Sequence, residues 1–212
     1  MQELAHIRTE YRRMELNLSN LNETPFDQFS QWLQQAIEAK EKEPTAMCLS
    51  TIDQHGKPDA RIVLLKETTS KGFVFFTNYE SSKGQQLKNK PQAALTFFWP
   101  ELERQVRIRG TVTQTDAQTS DEYFHARPAN SRIGAWLSPQ SRIITEEWIR
   151  NMRKTAASES IKPDIARPPH WGGYILEPDY FEFWQGRPNR LHDRFCFLKS
   201  PNNQWQIDRL AP

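Results

Sequence analysis

The feature that most constrains this chain is a series of nine short β-rich runs that begins near residue 46 and continues to residue 210. Each run is rich in β-branched or aromatic residues and is bounded by turn-forming or helical segments. So many short strands would expose many unpaired edges, and a barrel removes such edges by closing the sheet on itself. We therefore predict a mainly β, α+β fold, a closed antiparallel β-barrel with flanking helices. The runs are AMCLSTID, ARIVLLK, GFVFFTN, AALTFFW, ERQVRIRGTVTQT, GGYILEP, YFEFWQG, RFCFLKS and WQIDRL.

Helical periodicity adds several segments around these strands. Thr24-Pro25 fits a helix start, and apolar residues at helical spacing extend the helix to about Glu41. Thr119 and Glu122 have capping-box spacing, which predicts a helix up to Arg127. Two further helices are predicted, in SSKGQQLKNKP and TEEWIRNMRKTAASES. SRIGAWLSPQS is predicted to be irregular, and IKPDIARPPH is predicted to be a proline-rich, disordered loop.

Composition narrows the classes of protein that this chain can belong to. With 28 basic and 26 acidic residues the net charge is +2, which gives no general field for nucleic acid. The two cysteines, Cys48 and Cys196, and five scattered histidines fit no metal site. Unpaired thiols are typical of a reducing compartment, so a cytoplasmic protein is expected. The mixed charges of the first residues match neither a signal peptide nor a membrane span.

The order of the segments predicts two parts. Residues 1–20 are polar and should form a loose arm or a short helix, and residues 21–212 should form one domain. There are no internal repeats, and no linker is long enough to separate a second domain.

Near the C-terminus, RLHDR brings three basic groups together. If this segment is extended, Arg190, His192 and Arg194 share one face. Three stacked basic groups repel one another unless something anionic or electron-rich lies opposite. The alternative is a solvated strand end with Asp193 as an ion-pair partner. The aromatic run before it, YFEFWQG, favours a lined pocket.

A second cluster lies where the GFVFFTN strand leads into a helix. Hydroxyls and a lysine at a helix N-terminus, here Thr77, Ser82 and Lys83, make a phosphate site. The alternative is that Ser81 caps the helix and Lys83 is solvated. Arg61 and Lys66 do not share a strand face, so a bulge separates them or they bind different ligands.

A third cluster lies in EYFHARPANSRIGAW. Tyr123 and Arg127 are four residues apart and so share a helical face, with Ser131 shortly after them. These groups could hold a second phosphate, or they could form an exposed helix end. Gln105 in LERQV could bind a polar ring edge, although a strand glutamine is more often a surface residue.

Taken together, these segments resemble the pyridoxine 5'-phosphate oxidase family. The resemblance extends in order from residue 6 to the last residue, with residues 151–168 unmatched, and WQGRxxRLHDR is its most specific motif. The matching segments are HIRTEY, PTAM, RIVLLK, VFFTN with SSKG, LERQV, YFHARPANSRIGAW, SPQS, WGGY, FEFWQGRPNRLHDRF and IDRLAP.

The resemblance implies an FMN-binding split β-barrel that acts as a homodimer with shared active sites. It assigns the FMN phosphate to Arg61 and Lys83, with Thr77 and Ser82 nearby. Around the rest of the cofactor it places Ile62, Val63, Leu64, Lys66, Phe76, Gln105, Gln140, Ser141, Trp184 and Arg194.

The resemblance also implies a substrate site and a reaction. Arg190 and His192 would be the catalytic pair over the substrate ring. FMN-dependent oxidation of pyridoxine 5'-phosphate or pyridoxamine 5'-phosphate would give pyridoxal 5'-phosphate, with O2 as acceptor and H2O2 released. The substrate phosphate would be held by Lys66, Tyr123, Arg127 and Ser131, and an N-terminal arm with Arg8 and Tyr11 would close over the site.

Two residues depart from the family pattern. Phe76 stands where tyrosine is frequent, and Ser82 stands where arginine is common, so weaker FMN binding is expected. Three other functions are weighed: another flavin split-barrel enzyme such as a flavin reductase, a carrier that stores FMN or pyridoxal 5'-phosphate, and a nucleic-acid-binding barrel. The second phosphate-binding set, Tyr123, Arg127 and Ser131, argues against another flavin enzyme. The near-neutral net charge argues against a nucleic-acid-binding barrel. Only a measurement of turnover would distinguish the carrier from the enzyme.

Overall fold

The β-rich runs form one antiparallel sheet in the computed structural model, which describes residues 10–159 and 165–212. Eight strand pairs, all antiparallel, hold it together. The strands are β1 (Ala46–Ile52), β2 (Pro58–Leu64), β3 (Glu67–Thr68), β4 (Phe73–Asn78), β5 (Gln92–Trp99), β6 (Arg104–Gln114), β7 (Trp171–Gln185), β8 (Asp193–Lys199) and β9 (Trp205–Arg209).

The sheet curls into a barrel that is open along one side. Its strand order is β2-β1-β5-β6-β7-β4-β3, and β8 joins β7 to β9. The two end strands, β2 and β3, are consecutive in the chain and are linked only by Leu65 and Lys66, so the ends of the sheet must lie close together. Within residues 10–159 and 165–212, no ladder joins β2 to β4. The split barrel implied by the family resemblance is confirmed, whereas the closure predicted from the strand pattern is wrong, because the sheet is open between β2 and β4.

Among the described residues, five α-helices flank the barrel: α1 (Pro25–Glu38), α2 (Ser82–Asn89), α3 (Ala117–Ala126), α4 (Ala129–Leu137) and α5 (Glu146–Glu159). The predicted start of α1 is confirmed, because Thr24 Oγ1 accepts a hydrogen bond from the Asp27 amide. Phe29 and Trp32 on its inner face are buried against the aromatic core of the barrel. Among the described residues, no helix is long and apolar enough to cross a membrane.

Several local predictions are corrected by the structure. The helix α1 ends at Glu38, before the predicted Glu41. The capping box of Thr119 and Glu122 is wrong, since Asp116 caps α3 by accepting from the Thr119 amide. SRIGAWLSPQS is not irregular, because most of it belongs to α4. Residues 1–9 of the predicted arm and 160–164 around the predicted loop lie outside the described residues.

The two predicted strands GGYILEP and YFEFWQG are one strand, β7, with a bulge. The β6–β7 register shifts between Arg109 and Gly110, and Asp179 is the residue left without a partner. The buried side changes across it, from Tyr174 and Leu176 to Phe181 and Phe183, so both halves face the core. A proline at position 178 made this point resemble a turn, but a bulge also accommodates proline.

Gly110 allows the close approach of β6 to β7 at this bulge. A Cβ atom at this position would lie 2.0 Å from the backbone oxygen of Glu177. We therefore expect Gly110→Ala to lower the free energy of unfolding by about 1–3 kcal/mol, the usual cost of overpacking. Gly134→Ala is the matched control, because nothing lies within 4 Å of its Cβ position in α4. Urea unfolding of both variants measures the difference, and equal stabilities would contradict this account.

Candidate active site

A groove of about 1030 Å³ lies along the split between β2 and β4. Its walls come from these two strands, the first turn of α2, the α3–α4 region and the segment after α4. It gathers fourteen of the residues singled out in the sequence, which come from five separate segments: Arg61, Ile62, Val63, Leu64, Lys66, Phe76, Thr77, Ser82, Lys83, Tyr123, Arg127, Ser131, Gln140 and Ser141.

Lys83 is a buried cation at one end of this groove. Ser81 caps α2 by accepting from the Gly84 amide, which places Lys83 in the first helical turn. Its Nζ lies 3.3 Å from Thr77 Oγ1 and 3.2 Å from Gln140 Oε1, both neutral oxygens. Burial lowers the pKa of Lys83, and the charge of Arg61 lowers it further. In the described parts of the chain no carboxylate lies within ion-pair distance of Lys83. An anion bound here would gain a buried positive charge at a helix N-terminus.

Arg127 is a second cation in the same groove, and its side chain is half-buried. It follows the last residue of α3, and its guanidinium lies 4.5 Å from the centre of the Trp171 ring. Burial lowers its pKa, and its Nη1 is buried without a hydrogen-bond partner among the described residues. Such an orphaned donor costs free energy until a ligand accepts from it. Lys66 and Ser131 line the groove with it, and Tyr123 stacks on Phe76 with ring centres 4.0 Å apart.

The remaining predicted residues form a second cluster around Trp184 in β7. Trp184 is paired with Gln105 on β6 and with Arg194 on β8. The His192 ring lies 4.5 Å from the Trp184 ring, and the Tyr11 ring lies 5.6 Å from it. The structure thus brings Tyr11, Gln105, Trp184, His192 and Arg194 together, whereas Arg8 lies outside the described residues. We call this group the Trp184 cluster.

The predicted extended conformation of RLHDR is wrong. Residues Pro188–Arg190 form a turn of 3-10 helix, and β8 begins only at Asp193. Asn189 and Arg190 have φ values of 56° and 61°, a left-handed conformation that costs a non-glycine residue free energy. Sequence alternation could not reveal this turn. Arg190 therefore projects from a loop, and the three basic residues do not share a strand face.

Arg194 is oriented by Glu182, a residue that the sequence analysis missed. The carboxylate of Glu182 accepts from Arg194 Nε and Nη2, at 3.0 and 2.9 Å. It also accepts from Arg107 Nη1 and the Tyr180 hydroxyl, each at 3.0 Å. Burial and this carboxylate raise the pKa of Tyr180 to about 12. An acid within the aromatic run YFEFWQG, on the same strand face as Trp184, was the available signal.

The groove and the Trp184 cluster lie at opposite ends of β7. Phe76 in the groove is paired with Gly173, and Trp184 follows eleven residues further along the same strand. At about 3.3 Å per residue this separation is about 35 Å. None of the residues that line the groove belongs to the Trp184 cluster. One chain therefore carries two separate sets of predicted site residues.

Comparison with known proteins identifies the relationship. The family model for pyridoxamine 5'-phosphate oxidase matches residues 33–153, and one for the pyridoxine 5'-phosphate oxidase C-terminal dimerisation region matches residues 171–212. Two relatives are named pyridoxine/pyridoxamine 5'-phosphate oxidase. The protein from Paraburkholderia phymatum is 51% identical over 100% of both chains, and that from Cyanothece sp. is 50% identical over 99% of this chain and 98% of its own.

Two solved structures share the architecture. PhzG from Burkholderia lata, solved with tetrahydrophenazine-1-carboxylic acid, has a TM-score of 0.90 at 25% identity and covers 96% of this chain and 100% of its own. A pyridoxamine 5'-phosphate oxidase-related, FMN-binding protein from Nostoc punctiforme has a TM-score of 0.72 at 16% identity, over 89% of this chain and 98% of its own. The second likeness supports the fold alone. With both family models and full-length relatives in agreement, this chain belongs to the pyridoxamine 5'-phosphate oxidase family of oxidoreductases.

Proposed function

We propose that this enzyme oxidises pyridoxine 5'-phosphate and pyridoxamine 5'-phosphate to pyridoxal 5'-phosphate, with FMN as cofactor and O2 as acceptor. The observation that carries the proposal is the presence of two cations, buried Lys83 and half-buried Arg127, in one groove without carboxylate partners among the described residues. Two such centres suit two phosphate groups, one on the cofactor and one on the substrate. The relatives named for this reaction support the same conclusion.

The Lys83 end of the groove fits the phosphate of FMN. Arg61 and Lys83 supply charge, Thr77 and Ser82 supply hydroxyls, and the α2 N-terminus supplies free amides. Thr77 and Gln140 already lie within hydrogen-bond distance of Lys83, so this pocket is organised around its ammonium group. When bound, FMN would supply a hydride acceptor for C4' of the substrate, whose hydroxyl or amino group loses a proton, and O2 would take up the two electrons and two protons as H2O2; the imine formed from the amine would then react with water to give the aldehyde and ammonia.

The Arg127 end fits the substrate phosphate. Lys66 and Arg127 would provide two charges, and Tyr123 and Ser131 two hydroxyls. The stack of Arg127 on Trp171 fixes the plane of the guanidinium, so little ordering remains to be done when the ligand binds. Arg61 and Lys66 would thus serve different phosphates, although both line the same groove.

A second copy of the chain would complete each site with its Trp184 cluster. About 35 Å of β7 separates that cluster from the groove of the same chain, so one chain cannot enclose a ligand with both. A two-fold dimer brings unlike ends of two chains together at two equivalent places. The match of residues 171–212 to a dimerisation region supports this arrangement, because these residues contain Trp184, Arg190, His192 and Arg194.

His192 would act as a neutral hydrogen-bond donor in that site. Burial lowers its pKa, as do the charges of Arg190 and Arg194, so the imidazole is uncharged at pH 7. The Arg187 amide donates to Nδ1 at 3.1 Å, which places the proton of the neutral ring on Nε2. Arg190 and His192 would align C4' of the substrate, and Arg194, held by Glu182, would stabilise negative charge that develops on the flavin ring.

Flavin absorbance gives the direct test of this function. In the absence of oxygen, adding pyridoxine 5'-phosphate to the FMN-loaded protein should bleach the flavin, and admitting air should restore the colour. Unphosphorylated pyridoxine is the control and should bleach far more slowly at the same concentration, because it cannot use the Arg127 end. A flavin that stays oxidised although both ligands bind would favour the carrier over the enzyme.

Replacing Arg190 separates catalysis from cofactor binding. Arg190→Met should lower turnover by about 10- to 100-fold, the usual cost of losing one positioned charge or donor, and change the Kd for FMN less than about twofold. Arg150→Met, an exposed arginine on α5, removes an equal charge outside both clusters and serves as the control. Stopped-flow flavin reduction and flavin fluorescence measure the two quantities. Unchanged turnover would remove Arg190 from the mechanism.

A further inference from the structure

Arg61, which faces the cofactor-phosphate end of the groove, already has protein partners for both of its terminal nitrogens. Its Nη1 donates to Thr51 Oγ1 at 2.5 Å and to the Leu49 carbonyl at 3.3 Å. Its Nη2 donates to Asp59 Oδ2 at 2.5 Å and to Gln86 Oε1 at 3.1 Å. A guanidinium has five N–H donors, four of which are on these two nitrogens. A bound phosphate must therefore displace a partner or accept only from Nε.

Asp59 is the partner that a phosphate would displace. It lies two residues before Arg61 on β2, lines the same groove, and its side chain is 46% exposed against 19% for Arg61. Its carboxylate is the one anionic acceptor among the four, so a phosphate beside it would be repelled, whereas the neutral oxygens of Thr51 and Gln86 would not repel it. Because Asp59 is exposed, its side chain can also turn toward solvent when the phosphate arrives.

The charge of Asp59 reaches both cations of this end of the groove. Arg61 lowers the pKa of Lys83 and Asp59 raises it, so the carboxylate partly compensates the positive charge that would attract an anion. Gln86 holds the carboxylate in place, since its Nε2 donates to Asp59 Oδ2 at 3.0 Å. That hydrogen bond, followed by the charge of Arg61, lowers the pKa of Asp59 below its ordinary value. The carboxylate is therefore charged at neutral pH.

We propose that Asp59 competes with the FMN phosphate for Arg61 and so sets how loosely the cofactor is held. The inference rests on the proposed function, because it takes the Lys83 end of the groove as the cofactor-phosphate site. It identifies Asp59 as a residue that determines cofactor affinity, although it contributes no favourable contact to the cofactor. Together with Ser82, where arginine is common, it gives this chain a phosphate site with less net positive charge than its arginine and lysine suggest.

The test is the affinity of the full-length protein, freed of flavin, for FMN and for riboflavin, measured by quenching of flavin fluorescence. Riboflavin has the same ring system and lacks the phosphate. Asp59→Asn keeps the size of the side chain and removes its charge. The variant should bind FMN about three- to tenfold more tightly than the wild type, while its Kd for riboflavin stays the same. Asp179→Asn, an exposed carboxylate at the bulge of β7, changes the net charge equally and should change neither Kd.

The outcomes separate this inference from the proposed function. If the wild type prefers FMN over riboflavin but Asp59→Asn binds FMN equally or more weakly, Asp59 holds Arg61 in place for the phosphate and the competition is wrong. If Asp59→Asn tightens both flavins alike, the effect does not involve the phosphate, and the inference is again wrong. If the wild type does not distinguish FMN from riboflavin, the phosphate site itself is wrong and this inference falls with it.

Discussion

The pairing of β7 is the constraint on which the rest of the structure depends. Its first half pairs with β4 and its second half with β8, both along the same edge, while β6 pairs with the other edge from Tyr174 to Gln185. The bulge at Asp179 keeps the core side chains of both halves inward despite this change of partner. Because β4 leaves the edge where β8 takes over, the barrel stays open beside β2. The groove lies in that opening, and the Trp184 cluster lies at the far end of the same strand.

Charge explains what the groove can bind. Lys83 is buried and Arg127 is half-buried, and burial lowers the pKa of each, so both cations are only partly solvated in the free protein. A bound phosphate would give Lys83 an anionic partner and would accept a hydrogen bond from Nη1 of Arg127, which has no partner among the described residues. Arg61 differs, because Asp59 already neutralises it, and Arg194 differs because Glu182 does. In the Trp184 cluster the carboxylate of Glu182 orients Arg194, whereas in the groove the carboxylate of Asp59 is proposed to compete with a phosphate. An arginine–carboxylate pair therefore orients the arginine in the Trp184 cluster and weakens phosphate binding in the groove.

Most of the fold, and the composition of the groove, could be predicted from sequence, because strand alternation and turn residues are local signals. The groove residues came from the family resemblance and from hydroxyls and cations at strand ends. What sequence missed depended on tertiary contacts. Pro178 favoured a turn, but the ladder with β6 continues past it. The left-handed conformation of Arg190 could not be predicted, because only glycine, and less often asparagine, indicates a positive φ in a sequence. The role of Glu182 depends on arginines that lie on the neighbouring strands β6 and β8. The role of Asp59 depends on Arg61, which lies two residues further along β2.

The central claim is that each active site combines the groove of one chain with the Trp184 cluster of another. The most direct measurement is the activity of a purified heterodimer of two differently tagged variants, Lys66→Met in the groove and Arg190→Met in the loop before β8. Homodimers of either variant carry two damaged sites and should be almost inactive. The heterodimer should carry one intact site and one doubly damaged site, and should recover about half of the wild-type activity. A heterodimer no more active than its parents would show that the groove of one chain and the Trp184 cluster of the other do not share a site.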